Sequence, residues 1–340
     1  MAGAASLELN GVRFDASRPR GHVESWFVKA NDPSGDRAIW LKATIYAAST
    51  EPDRAVAEGW AIAFDRRGGA PKHRAVKCSL PFARASFATR GLAVRFDEGE
   101  GARLELIEAA TKGAIASSGA RVAWDLRWEN TAAPILPYFS HAMYTGAFPK
   151  QKLLTPAPDA RVSGEVTVDG EAWTLDGWRG MQGHNWGRGH SDLYAWAHVS
   201  QWDQDEPVVL EGMSGKVKIG PVMTPLTTIV CVRHRGVAYD FNAPLDLLRA
   251  TGDVALRRWE FSAKSEHATI EGTLEASTED FVGLYYANPD GAMTYCLNSK
   301  LARARVHFEP RGRAPILLTS RAAALEIGTR DDAHGVRMYV

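Results

Sequence analysis

Short segments of alternating apolar and polar residues, separated by turn residues, recur along the whole chain. Residues 22–30 alternate, residues 31–36 (NDPSGD) form a turn signal, and residues 39–47 alternate again, which predicts a β-hairpin. The Asp169-Gly170 pair gives a tight-turn signal within residues 166–173. Strands at a spacing of roughly 8–12 residues are typical of β-barrels and β-sandwiches. The pattern therefore predicts an all-β chain.

Helical periodicity is scarce, and only residues 244–251 and 320–326 favour short helices. An eight-stranded up-and-down barrel takes roughly 120–180 residues and can hold one small ligand, so 340 residues accommodate two. The Pro-rich segment 134–158 interrupts the strand pattern as a linker would, but strand signals continue after it. We therefore predict two tandem antiparallel β-barrels with few short helices, an N-terminal domain of residues 1–187 and a C-terminal domain of residues 188–340.

Charge and cysteine content narrow the class of protein. Lys+Arg and Asp+Glu are both 40, so the formal net charge is zero and nucleic acid is not an expected partner. The first residues lack the basic and apolar regions of a secretory signal, and no apolar run approaches the roughly 18 residues that span a bilayer. The three cysteines, Cys78, Cys231 and Cys296, form neither a disulfide framework nor a zinc spacing. We expect a cytoplasmic protein.

The segment 192–203 predicts a strand with two very different faces, because successive side chains of a strand point to opposite sides. One face carries small and apolar side chains suited to close packing, namely Leu193, Ala195, Ala197, Val199 and Gln201. The other face carries aromatic and polar side chains, namely Tyr194, Trp196, His198, Ser200 and Trp202. A plain core strand would rarely bury those polar groups without partners, so the second face predicts the wall of a cavity.

A glycine-dense segment, residues 177–189, precedes that strand. It lacks the Gly-Lys-Ser/Thr of a phosphate loop, and it predicts a bulged turn where glycine permits positive φ and close backbone approach. The functional hypothesis is that this bulge aims His184, Asn185 and Trp186 into a pocket. His184 remains open between a hydrogen-bonded structural histidine and a pocket donor or acid. The spacings of His184, His190 and His198 do not suit a metal site, so no metal is predicted.

The first predicted strand supplies a second group of candidates. His22, Glu24, Trp26 and Val28 share one face of residues 22–30. One interpretation is an ordinary ion pair. The other is a buried acid whose pKa is raised by desolvation. Both interpretations stay open at this point.

Several short motifs carry a resemblance to a known superfamily. Residues 22–27 (HVESWF) and 39–45 (IWLKATI) resemble the opening strands of the carotenoid 1,2-hydratase superfamily. Residues 162–170 (VSGEVTVDG), 183–187 (GHNWG) and 194–198 (YAWAH) are similar to tocopherol cyclase and the hydratases. The resemblance implies two lipocalin-like β-barrels in tandem. It also implies prenyl or polyketide-like apolar substrates that undergo hydration, cyclisation or cycloaddition without a redox cofactor.

One departure from that superfamily bears on the chemistry. Its members often carry an acidic residue in or just before the segment 183–187, where this chain has Gly183 and Asn185. Protonation of an alkene needs a strong acid, so Glu24 or His184 would have to supply the proton as the catalytic residue. Asn185 would orient a substrate oxygen. The remaining substrate-binding candidates are Trp26, Trp186, Tyr194, Trp196, His198 and Trp202.

We therefore predict binding of a hydrophobic prenyl, isoprenoid or polyketide-like molecule in an aromatic cavity, and acid-initiated hydration or cyclisation of an alkene without a cofactor. Aromatic faces would stabilise the carbocation by roughly 0.5–2 kcal/mol each. The enzyme would be a hydratase (a lyase) or an intramolecular cyclase (an isomerase). Two alternatives stay open, a non-catalytic lipocalin-like carrier and a scaffold protein with no cavity. Peripheral contact with a membrane to collect the ligand, and the oligomeric state, are also left open.

Overall fold

The computed structural model describes residues 8–216, 218–219 and 222–340. Within these residues the first sheet has eleven antiparallel strands, paired in the order 4-3-2-1-11-10-9-8-7-6-5. The strands are β1 (His22–Asn31), β2 (Arg37–Ala47), β3 (Val56–Asp65), β4 (Arg74–Pro81), β5 (Ser86–Phe87), β6 (Ala93–Asp97), β7 (Ala102–Ile107), β8 (Ala110–Ser117), β9 (Ala120–Asn130), β10 (Gln151–Val168) and β11 (Glu171–Gly187).

The second sheet contains ten strands in the described part of the chain, nine of them paired in the order 17-16-13-12-23-22-20-19-18, with strand 21 pairing to strand 22. They are β12 (Leu193–Val199), β13 (Val208–Lys216), β16 (Thr227–His234), β17 (Val237–Phe241), β18 (Thr251–Ala255), β19 (Arg258–Lys264), β20 (Ala268–Glu275), β21 (Val282–Ala287), β22 (Met293–Pro310) and β23 (Ile316–Thr329). A small separate hairpin joins β14 (Lys218–Ile219) to β15 (Val222–Met223).

Each large sheet curls around its own apolar core. In the first sheet β4 packs against β8 and β9, and in the second sheet β18 packs against β12, β13 and β16. The first core includes Trp26, Trp124 and Trp128, and the second includes Trp259 and Phe308. The prediction of an all-β fold with two lipocalin-like antiparallel barrels is confirmed.

In the described residues, helical structure is limited to short segments. The structure has one-turn α-helices at Ala142–Thr145 and Pro244–Leu247, and 3₁₀ turns at Pro52–Arg54, Phe82–Arg84 and Thr278–Asp280. None of the helices in the described residues is long and apolar enough to cross a membrane.

The turn signals of the sequence correspond to observed hairpins. Strands β1 and β2 pair as one hairpin, with His22 opposite Ala47 and Asn31 opposite Ala38. The Asp169-Gly170 pair has φ angles of 49° and 91°, and it joins β10 to β11. Two consecutive positive φ angles match the tight turn that suits the twist of paired strands.

One local prediction was wrong, and a second was right only in part. Residues 320–326 are not a helix but the middle of β23. The run of alanines there lies between β22 and β12, and β23 pairs with both of these strands. The predicted helix 244–251 ends at Leu247, and β18 begins at Thr251. The Pro-rich segment is not a plain linker, since β10 runs from Gln151 through two prolines. Register shifts in its pairing with β11 accommodate them.

The glycine-dense segment is also not a bulged turn. It forms most of β11, which pairs continuously with β1 from Arg179 to Gly187. Only Gly177 and Gly189 have positive φ among its glycines. Gly183 is required for a different reason, because a Cβ atom there would overlap the ring of Phe27. The segment is therefore a strand on which neighbouring side chains pack closely.

The two barrels pack against each other through the outward faces of strands near the middle of each sheet. A third apolar cluster joins Phe27, Trp40 and Trp60 of the first sheet to Trp196 and Tyr286 of the second. The first sheet ends at Gly187 and the second begins at Leu193. The division into domains 1–187 and 188–340 stays a prediction.

Candidate functional site

The candidate site is built from the face of β1 and β2 that points away from the first barrel. On β1, Trp26 and Val28 belong to the first core, whereas Phe27 belongs to the cluster between the sheets. Strand pairing places Lys42 of β2 between Phe27 and Trp60, its opposite residues on β1 and β3. Side chains at directly opposite positions share a face, so these three residues face the second sheet.

The second sheet presents its matching face from β12, β21 and β23. Trp196 lies opposite Met213 of β13 and Glu326 of β23, and Tyr194 lies opposite Gly328. Ala195 and Ala197, on the other face of β12, pack in the core of the second barrel. The predicted asymmetry of this strand is therefore present, with its aromatic face turned toward the first barrel.

A cavity of about 440 Å³ lies between these two faces. This volume is within the usual range of about 300–1,000 Å³ for small-molecule sites. Phe139, Phe148, Lys150 and Thr227 are the exposed part of its lining. Its inner wall is strongly aromatic, with rings from Phe27, Trp40, Tyr138, Tyr194, Trp196 and Tyr286.

The rings of the two sheets are in contact. Phe27 meets Trp196 edge to face, with centroids 5.8 Å apart, and Trp60 meets Tyr286 in the same way at 6.1 Å. Edge-to-face pairs at such distances are a favoured geometry for aromatic side chains. The cavity wall is thus held by rigid contacts that cross between the sheets.

Lys42 is a buried cation in this wall. Its Nζ lies 4.0 Å from the ring centroid of Tyr286, 5.3 Å from that of Trp60 and 5.4 Å from that of Trp40. Among the described residues its ammonium has no hydrogen-bond acceptor and no carboxylate within 4.0 Å. Burial lowers the pKa of Lys42 to about 8. The group is therefore an ammonium whose contacts are aromatic faces.

His190 lines the same cavity and also contacts Tyr286, with ring centroids 4.9 Å apart. The amide nitrogen of Asn288 donates to Ala292 O and to Thr294 Oγ1, so its Oδ1 must be an acceptor. That oxygen accepts from the backbone N–H of His190 at 2.7 Å and from its Nδ1 at 3.3 Å.

This arrangement fixes the tautomer of His190. Nδ1 carries the proton, so Nε2 carries a lone pair, and within the described residues Nε2 has no hydrogen-bond partner. Burial and the nearby charge of Lys42 lower the pKa of His190 to about 3. The imidazole is therefore neutral and a weak base, with Nε2 available as a hydrogen-bond acceptor.

The two carboxylates of the lining are already paired. Glu326 accepts a hydrogen bond from Lys300 at 2.7 Å, and Asp192 lies 3.3 Å from Arg330. Lys300 is completely buried behind the wall. No cluster of three or more His, Cys, Asp or Glu that could hold a metal occurs in the part of the chain that the structure describes.

A third carboxyl group lies behind the wall. Glu211 of β13 accepts hydrogen bonds from Trp196 Nε1 at 3.0 Å and from Thr155 Oγ1 at 2.8 Å, both at Oε1. Its Oε2 is buried without a partner among the described residues. Burial raises the pKa of Glu211 to about 7, although both hydrogen bonds act against this.

The structure places three of the predicted site residues in the cavity wall: Asn185, Tyr194 and Trp196. Asn185 Oδ1 accepts a hydrogen bond from Gln151, another lining residue, at 3.4 Å. The Tyr194 ring packs so closely on Gly328 that a Cβ atom there would overlap it. The role of these three residues in substrate binding stays a prediction.

Glu24 and His184 are brought together, but inside the first barrel rather than at the cavity. His184 Nε2 lies 2.9 Å from Glu24 Oε1, and both side chains are completely buried. The Glu24 carboxylate also meets His22 Nε2 at 2.9 Å and accepts from the backbone N–H groups of Arg13 and Phe14. Five polar contacts satisfy both of its oxygens.

The expectation that the pKa of Glu24 is raised was wrong. Burial alone would raise it, but the hydrogen bonds and charges of His184 and His22 outweigh burial and lower it. His184 Nδ1 faces Leu9 O at 3.1 Å, so both ring nitrogens face oxygen acceptors. This geometry favours an imidazolium paired with the carboxylate, although burial lowers the pKa of His184.

The remaining predicted residues lie elsewhere. Trp26 stacks on His184 at 4.6 Å within the first barrel, and Trp186 packs near Leu154 and Tyr144. His198 is completely buried between the sheets, where its Nε2 bonds to Pro158 O. Trp202 does not share the face of Trp196, because β12 ends at Val199. Its indole donates to Val208 O and packs on the second core.

Sequence reasoning missed Lys42, Tyr286 and Glu326, and it considered His190 only as a metal ligand. A signal for Lys42 was present. Trp40, Lys42, Thr44 and Tyr46 alternate on one face of β2, much as aromatic and polar residues do on β12. Tyr286 and Glu326 gave no comparable signal, since their position depends on how the second sheet packs on the first.

Comparison with known proteins agrees with this architecture. The family model described as tocopherol cyclase-like matches residues 99–329, which is more than half of the chain. The chain belongs to the tocopherol cyclase-like family. The resemblance to the carotenoid hydratase and tocopherol cyclase-like superfamily is thereby confirmed.

Two relatives of this family member come from Mycobacterium tuberculosis: the uncharacterized protein Rv0493c of strain H37Rv and the uncharacterized protein MT0513 of strain CDC 1551. Each is 26% identical over 316 residues, covering 92% of this chain and 88% of the relative. The similarity extends over both barrels.

Three solved structures share the fold of this tocopherol cyclase-like chain. A putative AttH from Nitrosomonas europaea has a TM-score of 0.56 at 13% identity, covering 94% of this chain and 98% of that chain. Kievitone hydratase from Nectria haematococca has a TM-score of 0.53 at 10% identity, covering 95% of each. CghA has a TM-score of 0.55 at 12% identity, covering 91% of this chain and 88% of its own. At these identities the likeness concerns the fold.

Proposed function

We propose that this protein binds a hydrophobic small molecule with a prenyl, isoprenoid or polyketide-like skeleton between its barrels, and that it catalyses cofactor-independent hydration or cyclisation of that molecule. The observation that carries the proposal is the contact of Lys42 and His190 with one ring, that of Tyr286. An ammonium and a neutral imidazole therefore meet in one aromatic cavity. Membership of the tocopherol cyclase-like family supports the proposal, and so does the name of one fold neighbour, a hydratase.

The two polar groups have complementary roles in the proposed chemistry. His190 Nε2 accepts a hydrogen bond from water or from a hydroxyl group of the substrate. It takes up the proton only as that oxygen adds to a double bond conjugated to a carbonyl group, because an imidazole of such low pKa does not form a free oxyanion beforehand. The carbonyl oxygen takes up the electron pair. Lys42 stabilises that oxygen by its charge, which acts strongly in a cavity from which water is excluded. The proton then returns from His190 to the carbon next to the carbonyl group.

This chemistry suits the cavity better than protonation of an isolated alkene. Such protonation needs a strong acid, whereas the lining carboxylates Asp192 and Glu326 are each held in an ion pair. Glu24 and His184 are completely buried in the first barrel, where their side chains pair with each other. Acid-initiated chemistry through Glu24 or His184 stays a prediction, as does a cytoplasmic location.

Turnover of a substrate panel tests the proposal. Prenylated phenols and isoprenoids with a conjugated carbonyl group are incubated with the protein, and products are analysed by mass spectrometry for a gain of one water or for an isomer of unchanged mass. Incubation in deuterated water should place one deuterium on the carbon next to the carbonyl group when hydration occurs. Saturable quenching of tryptophan fluorescence without any conversion would instead select the carrier function.

His190→Phe gives the matched variant. It retains an aromatic ring against Tyr286 but removes the lone pair, so binding should persist while turnover falls by roughly 10²–10⁴-fold. His307→Phe, at a half-buried histidine of β22 outside the cavity lining, serves as the control and should keep full turnover. Equal turnover by the wild type and His190→Phe would remove His190 from the chemistry.

A further inference from the structure

Lys42 has an environment that is incomplete for a buried cation. Its side chain is 4% exposed, and its contacts are the faces of three aromatic rings. A cation over a ring is attracted only weakly, whereas removing an ammonium group from water is strongly unfavourable. The rings therefore offset only part of the cost of holding this charge inside the protein.

Other buried lysines between the sheets are better satisfied. Lys300 bonds to Glu326 at 2.7 Å and to Asn298 at 2.6 Å, and Lys29 bonds to Asn31 at 3.0 Å. Neither of them lines the cavity. Within the residues that the structure describes, Lys42 alone is a buried lysine of the cavity wall whose ammonium has no hydrogen-bond acceptor.

Most of the charged side chains in the described lining have the same sign as Lys42. Three more lysines belong to the lining, Lys150, Lys152 and Lys216, whereas Asp192 and Glu326 are its two carboxylates. Each of those carboxylates is paired with a cation that is not part of the lining, Arg330 and Lys300 respectively. The described lining therefore has uncompensated positive charge, which attracts an anion toward the cavity.

We propose that the ligand of this cavity is an apolar molecule that ends in a single negative charge, a carboxylate or a phenolate, and that this charge binds the Lys42 ammonium beneath the aromatic wall. The inference rests on the proposed function only in taking the cavity as the ligand site. The anion supplies the partner that Lys42 lacks, while Phe27, Trp40 and Trp196 cover the apolar body. A neutral ligand of the same shape could at most accept a hydrogen bond from Lys42 and would leave the charge of Lys42 uncompensated.

This inference predicts a preference that can be measured by titration. Trp40 and Trp196 line the cavity, so quenching of tryptophan fluorescence reports binding. The probes are farnesoic acid, its methyl ester and farnesol, which share one isoprenoid tail and differ at the polar end. At pH 7 the acid should bind at least tenfold more tightly than the ester or the alcohol.

Two variants assign the preference to Lys42. Lys42→Met keeps the length and the apolar stem but removes the charge, so it should lose tenfold or more in affinity for the acid and less than twofold for the ester. Lys77→Met is the matched control. Lys77 also lies over Trp60, at 4.1 Å, but it pairs with Glu58 and is not in the cavity lining, so its loss should leave the preference intact.

The titrations and the turnover assay separate this inference from the proposed function. The inference would be overturned if the wild type bound acid and ester equally well, or if Lys42→Met lost equal affinity for both. Either result would still be consistent with ligand binding in the cavity. Preference for the acid without turnover of any substrate would support the inference and count against the catalytic part of the proposed function. Failure of all three probes to bind would overturn the inference together with the proposed ligand class.

Discussion

Glu24 and His184 are joined across 2.9 Å inside the first barrel, and neither side chain is exposed to solvent. The pair lies on neighbouring strands, with Glu24 opposite Trp186 and His184 opposite Trp26. Two backbone N–H groups and His22 complete the surroundings of the carboxylate. This arrangement closes the inside of the barrel and binds the segment before β1 to it, which is a structural role.

Glu24→Gln should therefore destabilise the fold. The amide keeps one acceptor but turns an N–H₂ group toward N–H donors that now lack a partner, so the free energy of unfolding should fall by about 3 kcal/mol. Urea denaturation at pH 7 measures this. Glu129→Gln, an exposed position on β9, should change it by less than about 0.5 kcal/mol. A Glu24→Gln protein of normal stability that binds substrate but has no turnover would place Glu24 in the chemistry instead.

Gly328→Ala tests the packing of the cavity wall. A Cβ atom at this position would overlap the ring of Tyr194, so the ring must move and the cavity must change shape. We expect the free energy of unfolding to fall by about 2 kcal/mol, and ligand affinity to fall as well. Gly101→Ala is the control, because the space around that position is open. Unchanged affinity in a folded Gly328→Ala protein would show that Tyr194 does not shape the ligand site.

The strands could be predicted from the sequence because alternation and turn residues are local signals. The aromatic face of β12 was also predicted, since its other face carries only small and apolar residues at Ala195, Ala197 and Val199. On β1 both faces carry aromatic and charged residues, Glu24 with Trp26 on one and Phe27 with Lys29 on the other. Alternation cannot decide which of two such faces points into a barrel and which points to a second barrel.

The cavity itself depends on contacts between residues far apart in the chain. Lys42 and Tyr286 meet only because the outer face of the first sheet packs on the second. The alanine-rich residues 320–326 show the same limit, because local propensity favours a helix, whereas pairing of β23 with both neighbours produces a strand. What the sequence could not provide was therefore the packing of one sheet on the other.

His198 should make stability fall as the pH is lowered. Burial, together with the charges of Lys29 and Lys300, lowers its pKa well below the usual value. In the unfolded chain a histidine binds a proton below about pH 6.5, whereas the native His198 does not. The unfolded state thus binds more protons there, and stability decreases by up to about 1.4 kcal/mol per pH unit for this group.

Urea denaturation between pH 7.5 and pH 5 measures that slope. His198→Asn keeps a donor for Pro158 O and removes the titrating group. The slope of its free energy of unfolding against pH should therefore be smaller than that of the wild type, by the contribution of about one bound proton. His267→Asn, at an exposed position, should keep the wild-type slope. Parallel curves for the wild type and His198→Asn would contradict the prediction.

Glu211 should have the opposite effect, since burial raises its pKa to about 7 from an ordinary value of 4.5. Between these two values the native state holds a proton that the unfolded state has released. Stability is therefore lost as the pH rises through this window, by about 3 kcal/mol in total once the pH exceeds 7.

Glu211→Gln should remove this loss. Its amide oxygen still accepts from Trp196 and Thr155, and no charge has to be buried at high pH. We expect the variant to be more stable than the wild type at pH 8, with a difference that shrinks toward pH 4.5, whereas Glu271→Gln on the surface of β20 should follow the wild type at every pH. A Glu211→Gln protein that gains no stability relative to the wild type between pH 4.5 and pH 8 would contradict the prediction.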